Sequence, residues 1–208
     1  IVSIGAGLSY GPLGYSHHAI DDIGVMRALP GMTIYNPADP IETKIALRAS
    51  LSCSTPKYFR LGKSGESNIF DKSQSNFPEW SEVWKGDDLL ILTSGSIIIE
   101  AIEAAQTLKT FGINISVVSI PILKPFTLDK ELIKRFKNII VLEEHSIVGG
   151  LGSIILEQVA LNGMNPTIMV LGLPDNVSHE LGSQKYLRSF YKIDSANIVV
   201  LIKRLLQK

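Results

Sequence analysis

The chain has 208 residues, 45% of them hydrophobic and 19% charged, and its twenty basic and twenty acidic side chains cancel. That composition reads as a globular α/β protein of one large or two small domains. The neutral balance gives no electrostatic footing for nucleic acid or an anionic membrane surface, and the longest apolar runs, at 139–142 and 198–202, are far too short to span a bilayer.

The chain opens IVSIGAG, with neither Met nor a basic leader, so it reads as a fragment or trimmed chain whose first strand is already under way. A glycine-rich turn follows, then a predicted helix over 17–28 with Ser16 as N-cap and Ile20, Ile23 and Met26 on one flank. The segment 33–35 reads as a strand stopped by Pro37. DPIE then signals a helix start: Asp39 caps, Pro40 takes the first position and Glu42 closes a capping box. Residues 58–61 form another strand. Cys53, the only cysteine, lies in the apolar stretch ALRASLSC and reads as an inert, partly buried thiol. A single cysteine forms no intrachain disulfide and suits a reducing, cytoplasmic setting.

Residues 65–86 read as a linker, poor in periodicity and rich in Gly, Ser, Asn, Asp and Lys, with Trp80 and Trp84 pinning its end to a domain surface. Beyond it the alternation is clean. Strands are predicted at DLLILTSG, INISVVSI, NIIVLEE and TIMVLGL. Helices are predicted at 97–110, at a short segment capped by Thr127, at 150–162, and from Ser195 with Ile198, Leu201, Ile202 and Leu205 in register. Continuous apolar strands are covered by helices on both faces, so the units should be three-layered with mostly parallel sheets. Residues 1–64 are too few to bury a core alone, whereas 87–208 are enough.

Four places could carry chemistry. If Ser16 caps the helix, His17 and His18 stand in its first turn, where the helix dipole disfavours imidazolium and leaves a neutral proton donor or acceptor. Surface histidines after a glycine turn are the plainer alternative. No spaced Cys, Asp or Glu set around them marks a metal site. Arg60 ends a strand, where its fork could clamp a phosphate or carboxylate or form an interdomain salt bridge. EEHSIVGGLGS, residues 143–153, lacks both a dinucleotide fingerprint and a P-loop lysine. Its acid pair would repel phosphate, so Gly149, Gly150 and Gly152 read as a structural turn or subunit contact. His179 lies in a loop with nothing around it to mark a site.

GYSHHAIDDIGVMRALPGMTIYNPADPIE resembles the late pyrimidine-domain segment of transketolase-like, thiamine-diphosphate-dependent enzymes. PKYFRLGK is similar to the family's Pro-x-x-x-Arg strand, and VLEEHSIVGGLGS and LGLPD to its C-terminal domain. The resemblance implies the end of a pyrimidine-binding domain over 1–64, a linker over 65–86 and a transketolase C-terminal domain over 87–208. It implies that His17 is the catalytic histidine and that Ser16, His18 and Arg60 bind substrate, Arg60 through a phosphate. His18 replaces a usual Gln. Leu13 replaces an Asp that contacts a substrate hydroxyl, so the substrate edge differs.

The implied activity is transfer of a two-carbon ketol unit between sugar phosphates. The intact enzyme would use thiamine diphosphate and Mg²⁺. The activating glutamate and the diphosphate motif are absent here, so the chain alone is expected to hold no cofactor and to be inactive. The implied assembly is a homodimer, or a heterotetramer with an N-terminal transketolase subunit. A 2-oxoacid dehydrogenase beta subunit, a deoxyxylulose-phosphate synthase relative and a non-catalytic dimerisation module remain as alternatives.

Overall fold

The computed structural model describes residues 1–70, 79–177 and 179–206. The larger sheet is built from β4 (Ser81–Trp84), β5 (Leu89–Thr93), β6 (Ile115–Ser119), β8 (Asn138–Ser146) and β9 (Thr167–Leu173), in the order β4-β6-β5-β8-β9. All its pairings are parallel except that of the edge strand β4, which runs antiparallel to β6. Alternate residues of β5 enter two cores. Leu89 and Ile91 pack with α3 (Ile98–Lys109) and α7 (Ser195–Leu205), while Leu90 and Leu92 pack with α4 (Lys130–Lys134) and α5 (Leu151–Leu161). Both faces of a parallel strand are thereby covered, which is why its sequence is continuously apolar.

The smaller sheet runs β1-β3-β2-β7, from β1 (Val2–Ile4), β3 (Lys57–Leu61), β2 (Thr33–Tyr35) and β7 (Ile122–Lys124). Here β7 is borrowed from the second unit and pairs antiparallel with β2. Ile34 and Tyr58 belong to the same apolar cluster as Leu90, Leu92 and Val118 of the larger sheet. The first unit therefore completes its core with the second, as its short length requires.

Several local expectations change. The expected helix over 17–28 is not continuous. Tyr15–His17 is a 3-10 turn, and α1 begins only at Asp22, running Asp22–Ala28. Ala19 exchanges backbone bonds with Gly7 at 2.9 and 3.0 Å, so the chain must be extended there and cannot continue a helix. The short helix α4 is capped by Asp129, which accepts from Leu132 N–H, rather than by Thr127. The expected linker ends in strand β4, and residues 71–78 of it lie outside the described residues. Its tryptophans do pin it. Trp80 Nε1 donates to Thr127 O at 2.9 Å, and Lys109 stands over the Trp84 ring. A further helix, α6 (Gln184–Phe190), carries no expectation from periodicity. Cys53 is exposed rather than partly buried. Bonds from Thr55, its side chain first, with Lys57 nearby, hold its thiol below the usual value.

Helix α2 (Pro40–Ser50) starts as the DPIE signal predicts, with Asp39 Oδ1 accepting Glu42 N–H at 2.6 Å. Glu42 does not return the bond to Asp39. It accepts from Ala38 N–H at 2.6 Å and from Ser119 Oγ of β6 at 3.1 Å, so a cap becomes a tie between the units. Burial raises Glu42 to about 7, with Asp39 adding to the rise against the bonds from Ala38 and Ser119. A carboxyl raised on folding stabilises the protein in its protonated form, below about pH 4.5, and that stability is lost as pH rises toward 7. A shift of this size is worth about 3 kcal/mol. Between pH 4.5 and pH 8, Glu42→Gln should therefore gain about 3 kcal/mol relative to the parent in urea unfolding. Parallel pH profiles for the two proteins would rule that contribution out.

Candidate functional site

The histidine turn is assembled from two short 3-10 segments, Gly11–Leu13 and Tyr15–His17, joined by Gly14 at φ 82°. That dihedral needs a residue without a side chain. His17 is exposed, and its Nδ1 is 3.0 Å from Ser16 Oγ. That pairing leaves Nε2 open to solvent, able to give or take a proton. His18 points the other way. It is 6% exposed, its Nε2 is 3.2 Å from Gly11 O, and its Nδ1 has no hydrogen-bond partner among the described residues. Neither imidazole stands at the start of an α-helix, so the dipole reasoning does not apply. Leu13 and Tyr15 are exposed beside the turn. Next to them opens a cleft of about 520 Å³, lined by Tyr15, Asp21, Gly24, Val148, Pro174 and Asn176 among others.

Arg60 lies at the C-terminal end of β3, as its sequence position suggests, but it is only 3% exposed. Its Nε meets the Asp22 carboxylate at 2.9 Å, and its Nη2 donates to Ala19 O at 2.7 Å and Glu144 O at 3.0 Å. The salt bridge found lies within the first unit, to Asp22, and the bond that crosses to the second unit goes to the backbone carbonyl of Glu144, so most donors of the fork are already taken within the chain. Asp22 also accepts from Tyr58 Oη at 2.7 Å. Burial, then the Asp22 charge, raises that phenol to about 12. Arg60 on β3 thus reaches the histidine turn through Ala19 O, two residues beyond His17.

The acid pair of EEHS is where sequence reasoning missed most. Glu143 is no phosphate-repelling surface charge. It accepts Leu151 N–H at 2.7 Å and Gly152 N–H at 3.1 Å, satisfying the first amides of α5. Burial lifts it to about 7 against those bonds. Glu144 binds Arg188 Nε at 2.5 Å, and Arg188 also reaches Glu100 at 3.2 Å. Burial disfavours the charge on Arg188, but Glu144 and Glu100 outweigh it and hold the guanidinium above its ordinary pKa. The available signal was the position of two acids at the end of an apolar strand, since a buried carboxylate requires partners. The glycine turn is structural: Gly149 lies against Gly24 of α1, and Arg27 Nη1 donates to Gly149 O at 3.0 Å. His179 is exposed in its loop.

His145 is fully buried, with Nδ1 2.7 Å from Ser146 O and Nε2 3.9 Å from Asp22. Burial, with Arg60 nearby, lowers it to about 4. No group of three or more metal-ligating side chains occurs among the described residues. The carboxylates of Asp22, Glu100 and Glu144 pair with the guanidinium groups of Arg60 and Arg188 within the chain.

The arrangement defines a two-unit α/β protein whose seam is braced by buried charge and which carries an exposed histidine, His17, on a glycine-jointed turn. Residues 1–65 match the pyrimidine-binding domain of transketolase and residues 79–198 match its C-terminal domain. The chain belongs to the transketolase family, whose enzymes depend on thiamine diphosphate. A putative transketolase C-terminal section from Methanocaldococcus jannaschii is 32% identical over all of this chain and 65% of its own length. One subunit of an apulose-4-phosphate transketolase from Actinobacillus succinogenes is 33% identical over 96% of this chain and 65% of its own. The solved structure of a split-gene transketolase, an inactive beta4 tetramer, superposes with TM-score 0.83 at 29% identity, over all of this chain and 66% of that one. The chain thus spans about two thirds of the length of these relatives.

Two substitutions probe the site. Gly7 has φ +61°, and a Cβ there would lie 2.6 Å from Glu144 Oε1 and 2.8 Å from Glu144 O. Gly7→Ala should cost about 2–4 kcal/mol in chemical unfolding, from the left-handed backbone plus overpacking. The lowered pKa of His145 makes its stability contribution complete above about pH 6.5 and lost as pH falls toward 4, because the unfolded chain then binds the proton first. His145→Asn should flatten that part of the acid unfolding curve.

Proposed function

We propose that this chain supplies the C-terminal part of a transketolase and completes, with an N-terminal subunit, a site that moves a two-carbon ketol unit between sugar phosphates. The observation that carries this reading is the open imidazole of His17, on a braced turn within the segment that matches the pyrimidine-binding domain. Thiamine diphosphate, when bound, supplies the nucleophile that cleaves and remakes the bond beside a carbonyl. We assign its diphosphate and metal to residues outside this chain.

His17 passes protons to and from substrate hydroxyls at Nε2, and Ser16 Oγ at Nδ1 holds the ring. His18, turned inward, holds the shape of the turn. Leu13, exposed beside it, presents an apolar edge to substrate. We assign Arg60 to fixing the turn rather than to a phosphate, since Asp22, Ala19 and Glu144 take its donors. The neutral charge and single cysteine suit a cytoplasmic enzyme. No helix among the described residues is long and apolar enough to cross a membrane.

A second reading has its own support. A 1-deoxy-D-xylulose-5-phosphate synthase from Geobacter sulfurreducens is 35% identical over 89% of this chain. Supplying a 2-oxoacid donor in place of a ketose phosphate separates the two: carbon dioxide release from the 2-oxoacid together with transfer of its two-carbon remainder to an added aldehyde phosphate favours the synthase.

In the complex with its N-terminal subunit, His17→Ala should lower kcat for ketol transfer by roughly a hundredfold or more, the range for a lost proton-transfer group. Unchanged ketol transfer would sink the role of His17. Calorimetry of this chain alone should show no heat of thiamine diphosphate binding.

A further inference from the structure

Local bonds hold the histidine turn weakly. His17 N–H donates to Gly14 O at 2.9 Å and His18 N–H to Tyr15 O at 3.2 Å, both within the turn itself. An exposed imidazole on so short a segment samples many orientations unless its flank is fixed from elsewhere. The end of β8 reaches that flank, and Glu144 makes most of the contacts.

Two routes run from Glu144 to the turn. Through its backbone, Glu144 O accepts from Arg60 Nη2 at 3.0 Å, and the same nitrogen donates to Ala19 O at 2.7 Å. Through its carboxylate, Oε1 accepts Leu8 N–H at 2.7 Å and Gln184 Nε2 at 2.8 Å, while Oε2 accepts Arg188 Nε at 2.5 Å. Leu8 follows Gly7, which exchanges two backbone bonds with Ala19. Both routes end on Ala19, two residues beyond His17. Nearby, Ser146 N–H adds a bond of 2.7 Å to Ile20 O. The close packing of Gly7 against Glu144 leaves this brace little slack.

We infer that Glu144 is a positioning residue for His17: it couples α6 of the second unit, through Arg188 and Gln184, to the orientation of the exposed imidazole. The inference rests on the reading of His17 as the proton-transfer group. A carboxylate is required because all three bonds its side chain makes are accepted from donors. In Glu144→Gln, one oxygen becomes an NH₂ that confronts either Leu8 N–H and Gln184 or Arg188 Nε.

The test compares the parent with Glu144→Gln and Gln184→Leu, the latter removing one bond to Oε1 from a half-buried side chain. Amide hydrogen exchange is read on this chain by mass spectrometry, and steady-state ketol transfer on the complex with the N-terminal subunit. Peptides over 5–20 should exchange about tenfold faster in the variants while those of α3 stay unchanged. In the complex, kcat should fall about tenfold or more with KM within about twofold, since the imidazole is misplaced rather than substrate binding lost. Unchanged exchange over 5–20, or faster exchange with unchanged kcat, overturns the assignment. If Glu144→Gln does not fold, Gln184→Leu decides by the same criteria. A parent complex without ketol transfer refutes the proposed function instead, and the exchange comparison then decides the brace alone.

Discussion

A guanidinium buried between two sheets keeps its charge only where carboxylates and carbonyls surround it, and the seam of this protein is organised around two that meet this condition. Arg60 reaches Asp22, Ala19 O and Glu144 O from the smaller sheet, and Arg188 reaches Glu144 and Glu100 from the larger unit. The ion pairs need not stabilise the fold relative to an apolar seam, but removing one partner would leave a buried charge uncompensated at a cost of roughly 3–5 kcal/mol. Their geometric consequence matters more. Apolar contacts between the units tolerate sliding, whereas these directional bonds admit one arrangement.

That single arrangement links the units' cores to the histidine turn. Ile34 and Tyr58 of the smaller sheet pack with Leu90 and Leu92 of the larger, and β7 crosses from one unit to pair in the other's sheet. Glu42 and Ser119 tie the same seam from its other side. With most polar groups of the seam turned toward one another, His17 faces outward on the turn whose Tyr15 lines the cleft. The chain spans about two thirds of the length of the relatives it matches.

Most strands and helices were legible because their signals are local. The apolar run DLLIL reports burial on two faces, and DPIE carries a helix start in four residues. The histidine turn was misread as a helix because its conformation is set by the pairing of Ala19 with Gly7, a contact that periodicity does not carry. Strand β7 escaped for the same reason: ILK is too short to signal a strand unless β2 is there to pair with it. The acid pair was read only as repelling phosphate because its partners, Arg188 and the amides of α5, are remote in the chain or belong to the backbone.

The sequence by itself determined the α/β class, the mostly parallel sheet and the inability of the first 64 residues to bury a core alone, which follow from residue type, spacing and chain length. It offered two adjacent histidines as candidates, and only the family resemblance pointed to His17. Only the tertiary structure decided which of two adjacent histidines faces solvent, that Arg60 serves the seam, and that Glu144 braces the turn. Those depend on which buried donors meet which acceptors across 40 to 136 residues of chain. Nothing in the local pattern of side chains encodes such pairings; the requirement that buried polar groups find partners selects them as the two units close.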